Sequence, residues 1–468
     1  MVFSSLIFLF VFLPIVIFTY FIVGKRFRNI LLLLFSLFFY AWGEPKYVLL
    51  MIFSIIMNYL FGLIVDKLES KSALKKAVLV LAIIGNLLII GYYKYINFIV
   101  DNINQLLGLS IHIEEVPLPI GISFFTFQAL SYVIDVYRKD SHVQKNPFDL
   151  ALYISLFPQL VAGPIVRYND IANQIKERII NSQKFAEGIR RFIIGLAKKV
   201  LIANQVGFIA DQIFSMDPQE ISTSLAWIGI ISYTLQIYFD FSGYSDMAIG
   251  LGKMFGFEFL ENFNYPYISR SITEFWRRWH ISLSTWFRDY LYIPLGGNRV
   301  TKLKHYRNIF VVWALTGLWH GASWTFVAWG LYYGILLTIE KLGLGNLLKR
   351  TWAPIQHLYV LVIVMIGWVF FRADNFSYSL NYIKTLFGIH GQGLIDRQAL
   401  YYVHDYGLLF SIAILCSTPI INKLIMAIEK STNKIIHSLI RILYIVLLIL
   451  TIIYLVNSTY NPFIYFRF

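Results

Sequence analysis

The chain is 468 residues long, 58% hydrophobic and only 14% charged, with a formal net charge of +14. An ordinary soluble domain carries about 25% charged residues, so these figures exclude a soluble globular class; apolar runs recurring from end to end indicate an all-α polytopic membrane protein, organised as one membrane-embedded domain over residues 1–468. The single cysteine, Cys416, excludes an internal disulfide and a cysteine-rich metal site, and the positive excess fits loops facing anionic lipid better than nucleic-acid binding.

The opening run MVFSSLIFLFVFLPIVIFTYFIVGKRFR lacks a basic start and a small-residue cleavage site, so it reads as a retained first span. Lys25, Arg26 and Arg28 close it, which predicts that side to be cytoplasmic and the N-terminus outside. A short apolar run, 30–42, stops at GEP. Runs at 47–65 and 77–96 follow, separated by a basic loop at 66–76. The next connection carries Asp101, Glu114 and Glu115 without Lys or Arg, as expected outside, and 121–137 returns to Arg138, Lys139 and Lys145. These N-terminal spans fill 1–147.

The centre, 148–340, is less regular. FPQLVAGPIVRY (157–168) is too short and too broken by Pro158, Gly163 and Pro164 for a clean span, and reads as re-entrant or interfacial. Residues 170–199 interleave Lys and Arg with apolar positions, the pattern of an amphipathic helix on the cytoplasmic face. Spans are expected near 200–214 and 222–250. The basic, aromatic stretch 264–308 predicts interfacial or partly inserted helices. C-terminal spans lie near 355–371, 405–422 and 440–457 within 341–460, followed by an aromatic tail, 461–468. The total is about ten to twelve spans, with the C-terminus outside.

Residues 309–339 form the most informative stretch. As one straight helix they would measure about 46 Å against a hydrocarbon core of about 30 Å, so the segment overruns one span or breaks. Its one ionisable group besides tyrosines is His320, bracketed by Gly317 and Gly321. An imidazole there needs a partner or a watery cavity. It is either a packing histidine bonded across helices or a catalytic group.

Three further constellations stand out. QIYFDFSGYSDMAIG (236–250) places Asp240 and Asp246 in an apolar run, as acids that line a polar cavity or pair for helix packing. EFWRRWHISLSTWFRD (274–289) sets Arg277, Arg278 and His280 beside Trp276, Trp279 and Trp286. If helical, Arg277 and His280 share a face, and so do Trp276 and His280. The cluster reads as a nucleotide or phosphate site, or as an ordinary snorkelling loop. In NSTYNPFIYFRF (457–468), Asn461-Pro462 ends a helix before Phe463, Tyr465, Phe466 and Phe468, which by themselves suggest an interfacial anchor.

These motifs, with GLWHGASWTFVAWGLYYG, resemble in content and order the membrane-bound O-acyltransferases. The similar branch contains the alginate and peptidoglycan O-acetyltransferases and the D-alanyl transferase of teichoic acids. The resemblance covers essentially the whole chain. It implies a ring of tilted helices around a thin centre, where a cytoplasmic tunnel meets an outer funnel. It makes His320 and His280 the family's two histidines, and Tyr465 a transient acyl carrier on an aromatic C-terminal motif.

The implied reaction is transfer of acetyl from cytoplasmic acetyl-CoA, a donor substrate rather than a bound cofactor, across a bacterial inner membrane. The acceptor is an extracytoplasmic polysaccharide, reached through a periplasmic or cell-surface partner transferase. His320 takes a hydroxyl proton; Arg277, Arg278 and Trp279 hold the donor; His280 orients His320, lines the tunnel or contacts the donor; Asp240, Asp246 and Ser323 give polar support. No metal is indicated. The rival class is a proton-coupled polysaccharide-precursor transporter or flippase, for which broken helices and buried acids serve equally well.

Overall fold

A computed structural model describes residues 1–68, 72–161, 163–429 and 433–467. Glu69, Ser70 and Lys71 of the expected basic loop, Ala162 and Phe468 lie outside the described residues. Helices account for the secondary structure, as the apolar composition requires when backbone groups must be satisfied within each segment. Among the described residues, six helical segments are long and apolar enough to cross a membrane: Val48–Lys67, Ala73–Leu107, Ser182–Phe214, Ala353–Arg372, Arg397–Cys416 and Ile435–Asn457. Arg28–Gly43, Ile122–Arg138 and Trp324–Ile339 are shorter apolar helices, and Thr223–Met254, which carries Asp240 and Asp246, runs for 32 residues.

The described chain groups into two compact units, Met1–Phe192 with Ser245–Leu260, and Ile193–Tyr244 with Glu261–Phe468. The first unit is centred on a phenylalanine cluster in which Phe8, Phe12, Phe39 and Phe157 stack or meet edge to face. Asn58 and Asn86 exchange amide hydrogen bonds of 2.8 and 3.0 Å between two of its helices. The 157–168 stretch is a four-residue helix, Phe157–Leu160, followed by irregular, largely buried backbone. Protein supplies its hydrogen bonds: Ser36 Oγ accepts from the Phe157 N–H, and Tyr153 donates to the Val166 carbonyl.

The expected interfacial helix over 170–199 is corrected. Tyr168–Lys176 is one short helix; after a break, residues 182–214 run as one continuous helical segment. Lys199, grouped in the sequence with exposed basic residues, is 1% exposed. The burial is possible because a carboxylate and a carbonyl meet the ammonium, as shown below.

In the second unit the aromatic residues form the centre. Trp276, Trp329 and Tyr333 pack edge to face, and Trp279 lies against Phe275 and Trp368. The 309–339 stretch does break: one helix, Lys302–His320, ends at the histidine, and another, Trp324–Ile339, begins after three residues. Gly321 is extended there, and a Cβ on it would meet the Phe326 ring at 2.3 Å. Gly317 is not part of the break. It lies inside the first helix, where its Cα and that of Gly330 let the two helices meet; a Cβ on either would fall 2.3 Å from a backbone oxygen of the other helix.

Candidate active site

The second unit holds a cavity of about 600 Å³. Both motif histidines line it, with Trp276, Arg277, Trp279 and Arg288 among the other walls. His320 is placed by the end of its helix, 4% exposed, with its ring edge to face against Trp329 and Phe371 at centroid distances of 5.1 Å. Trp319 lies between the two histidines, 5.0 Å from the ring of His320 and 6.1 Å from that of His280.

His280 also sits at a helix break. Helix Ile272–Arg278 stops one residue before Trp279, and Ile281–Phe287 starts directly after the histidine. His280 has φ 45° and ψ 54°, a left-handed conformation that costs a β-carbon residue energy and persists where the surroundings enforce it. The surroundings here are the Asn262 carbonyl, which accepts from the Ile281 N–H at 2.9 Å, and the Asn262 side chain, which accepts from Ser282. The helix carrying Arg277 is fixed at its start, where the Glu340 carboxylate accepts from the N–H groups of Ile272 and Thr273 at 2.6 and 2.9 Å. An uninterrupted helix with Arg277, Trp276 and His280 on one face is therefore not what brings them together. They meet at the cavity because the helix ends and the chain turns.

His280 connects the cavity to the C-terminal tail. Its Nε2 lies 3.0 Å from the Tyr465 hydroxyl. Burial holds the imidazole down from 6.5 to about 3, so the ring is neutral at ordinary pH and one of its nitrogens is free to accept a hydrogen bond. Burial, and after it the Asp240 charge, push the Tyr465 phenol well above its ordinary value; the phenol thus stays protonated until a base takes its proton.

The tail is held at each residue from Tyr460 to Tyr465. Tyr460 donates to Asp211 at 2.6 Å, and Asp211 pairs with Arg372 at 2.7 Å. Asn204 donates to the Asn461 side chain. Lys199 donates to the Pro462 carbonyl and pairs with Asp240 at 2.6 Å, while the other Asp240 oxygen accepts from the Ile464 N–H at 2.9 Å. Phe463 stacks on Tyr244 at 3.9 Å and Tyr465 on Phe241 at 4.2 Å.

Of the remaining residues singled out from sequence, Trp279 lines the cavity, but Arg278 is absent from its walls and pairs with Glu274 at 2.9 Å. Asp240 is at the tail. Asp246 belongs to the first unit and pairs with Arg191 at 2.8 Å. Ser323 bonds to Thr325 at 2.6 Å in the break after His320, and is likewise not a cavity wall. Lys199, Asn204, Asp211 and Arg288 were not anticipated. The signal available for Lys199 was a lysine at the start of an apolar segment, VLIANQVGFIA, which by itself is indistinguishable from a loop lysine. Among the described residues no group of three or more His, Cys, Asp or Glu could hold a metal ion.

Six membrane-length helices among the described residues, and two buried histidines on one cavity, define a polytopic helical membrane protein with an internal cavity. A family model described as MBOAT, membrane-bound O-acyltransferase family, matches residues 124–373. The chain is 46% identical over 391 residues to the probable alginate O-acetylase AlgI of Pseudomonas aeruginosa, covering 83% of this chain and 75% of that protein. It is 38% identical over 430 residues to the peptidoglycan O-acetyltransferase of Helicobacter pylori, covering 84% and 81%. It is 29% identical over 267 residues to the teichoic acid D-alanyltransferase of Bacillus subtilis, covering 54% and 66%. The chain belongs to the membrane-bound O-acyltransferase family, and is an O-acyltransferase of the multi-pass membrane class.

Proposed function

We propose that the chain moves acetyl from acetyl-CoA to the Tyr465 hydroxyl, for O-acetylation of an extracytoplasmic polysaccharide of the alginate or peptidoglycan kind. The observation that carries this reading is the Tyr465 hydroxyl 3.0 Å from a histidine that also walls a 600 Å³ cavity. The identity to alginate and peptidoglycan O-acetyltransferases supports the class of acceptor.

The donor's thioester enters the cavity, with Arg277 and Arg288 available to its phosphates. His280 Nε2 takes the phenolic proton as the Tyr465 oxygen attacks the thioester carbonyl. The carbon–sulfur bond breaks, an ester bond to Tyr465 forms, and the proton passes to the departing CoA sulfur. His320, on the same cavity, acts on the thioester from its own side. This assigns the first proton transfer to His280, where the sequence alone favoured His320. Asp240 and Lys199 position the tail; Asp246 supports the first unit.

The acetyl-tyrosine then passes its group to a separate periplasmic or cell-surface transferase that acetylates the polymer. The setting is a bacterial cytoplasmic membrane with both termini on the outer side. Intact-protein mass spectrometry after incubation with acetyl-CoA tests the first step. An acetyl group on Tyr465 is expected, and its absence in protein that still cleaves the thioester would exclude the carrier.

A further inference from the structure

The first unit contains a second cavity, of about 540 Å³, between the end of the first helix and the segment 175–180. Five of its lining side chains are cationic, Lys25, Arg26, Arg28, Lys176 and Arg178, against one carboxylate, Glu177. Arg178 is occupied: it donates to Tyr20 and to the Phe255 carbonyl at 3.0 and 3.1 Å, and to Asn29 at 2.7 Å. The other four pair with no carboxylate among the described residues. Arg28 Nε is buried without a hydrogen-bond partner among them, and the guanidinium lies 4.9 Å from the centre of the Tyr20 ring. A buried N–H of this kind is costly unless an acceptor oxygen reaches it.

The helix Arg28–Gly43 starts at this cavity. No side chain caps it, and its first turn holds no acid. The positive end of its dipole therefore adds to five lining cations that Glu177 alone opposes on the cavity wall, with Asp149 engaged by Asn29 at 2.8 Å, an excess of positive charge that an anion relieves. The surrounding surface is apolar: Phe21, Ile22, Phe27 and Ile179 are exposed. A phosphate group attached to hydrocarbon meets both requirements.

We propose that this cavity is a phosphate-binding site, whose exposed apolar rim suits it to the headgroup of an anionic phospholipid. None of its lining residues is among the acyl-transfer residues, and it does not depend on the reading given to them. Lys25, Arg26 and Arg28 supply the charge, Arg28 Nε and the first N–H groups of the helix supply donors, and Arg178 with Asn29 hold the two walls in register.

The test uses the purified full chain in neutral detergent, with phosphatidylglycerol, phosphatidylcholine and inorganic phosphate as probes, read by native mass spectrometry and by the thermal midpoint. Phosphatidylglycerol is expected to bind in preference to phosphatidylcholine. A Lys25→Gln/Arg26→Gln double variant should weaken it by about fivefold for each charge removed. A Lys349→Gln/Arg350→Gln control, at exposed residues elsewhere, should leave it unchanged. Arg28→Gln is measured alongside; the double variant leaves the Arg28–Tyr20 contact intact and so separates binding from folding. Inorganic phosphate raising the midpoint as much as phosphatidylglycerol would keep the phosphate site and overturn the lipid as its occupant. Equal binding of the two lipids, or undiminished phosphatidylglycerol binding in the double variant, overturns the proposal.

Discussion

The Tyr465 hydroxyl and His280 Nε2, 185 positions apart in the chain, stand 3.0 Å from each other. The contact depends on two local departures from helix: the left-handed backbone of His280, and the tail that leaves its helix at Asn457 and runs to the Lys199–Asp240 pair. Together they bring a hydroxyl on the tail to a base that walls the larger cavity.

Tyr465→Phe retains the ring that stacks on Phe241 and removes only the hydroxyl. Acetylation of the glycan in cells is expected to fall to background while the amount of membrane protein is unchanged, as measured by glycan mass spectrometry beside an immunoblot. Full acetylation in this variant would exclude the carrier role.

His280→Gln should lower the rate of acetyl transfer to the protein by about 10²–10⁴-fold, the range for loss of a general base. His320→Ala should abolish glycan acetylation at normal protein level. Single-turnover labelling with acetyl-CoA separates them: a His280 variant that labels Tyr465 at the wild-type rate places the base elsewhere.

The pH dependence has a definite sign. Because burial lowers His280 to about 3 in the folded protein, its neutral form persists as pH falls through the ordinary 6.5. Stability linked to the neutral ring is complete above about 6.5 and is lost as pH falls toward about 3, since the unfolded state binds the proton first. The rate of Tyr465 labelling should therefore be level from about pH 8 to about 5. An inflection near 6.5 that His320→Gln leaves in place would show that His280 titrates normally.

Asp240→Asn removes the charge opposite Lys199, whose side chain is 2% exposed. Leaving a buried cation unpaired costs about 3–5 kcal/mol. A lower thermal midpoint and weakened labelling of Tyr465 are expected. The double variant Lys199→Met/Asp240→Leu should recover much of the midpoint but not the labelling, because the Ile464 N–H has still lost its acceptor. Recovery of both would show that the pair serves stability alone.

The helical fold was legible because apolar runs set span lengths, and the break at His320 because a largely apolar stretch, residues 309–339, overruns one crossing. Both histidines were legible from their setting among tryptophans. The pairing of Tyr465 with His280 was not. A left-handed histidine has no sequence signature, and the helical spacing of EFWRRWH argued for an unbroken turn. Lys199 was misplaced for a related reason: in sequence it continues a basic, amphipathic stretch, and its burial is decided by Asp240, forty-one positions later. Arg278 shows the converse, since a cation beside the site motif is taken up by Glu274 one turn earlier.

The most direct measurement is peptide mapping of purified protein after a single turnover with isotopically labelled acetyl-CoA. The account predicts label on Tyr465, lost in Tyr465→Phe and strongly slowed in His280→Gln. Label that reaches an added acceptor without ever appearing on Tyr465 would contradict it.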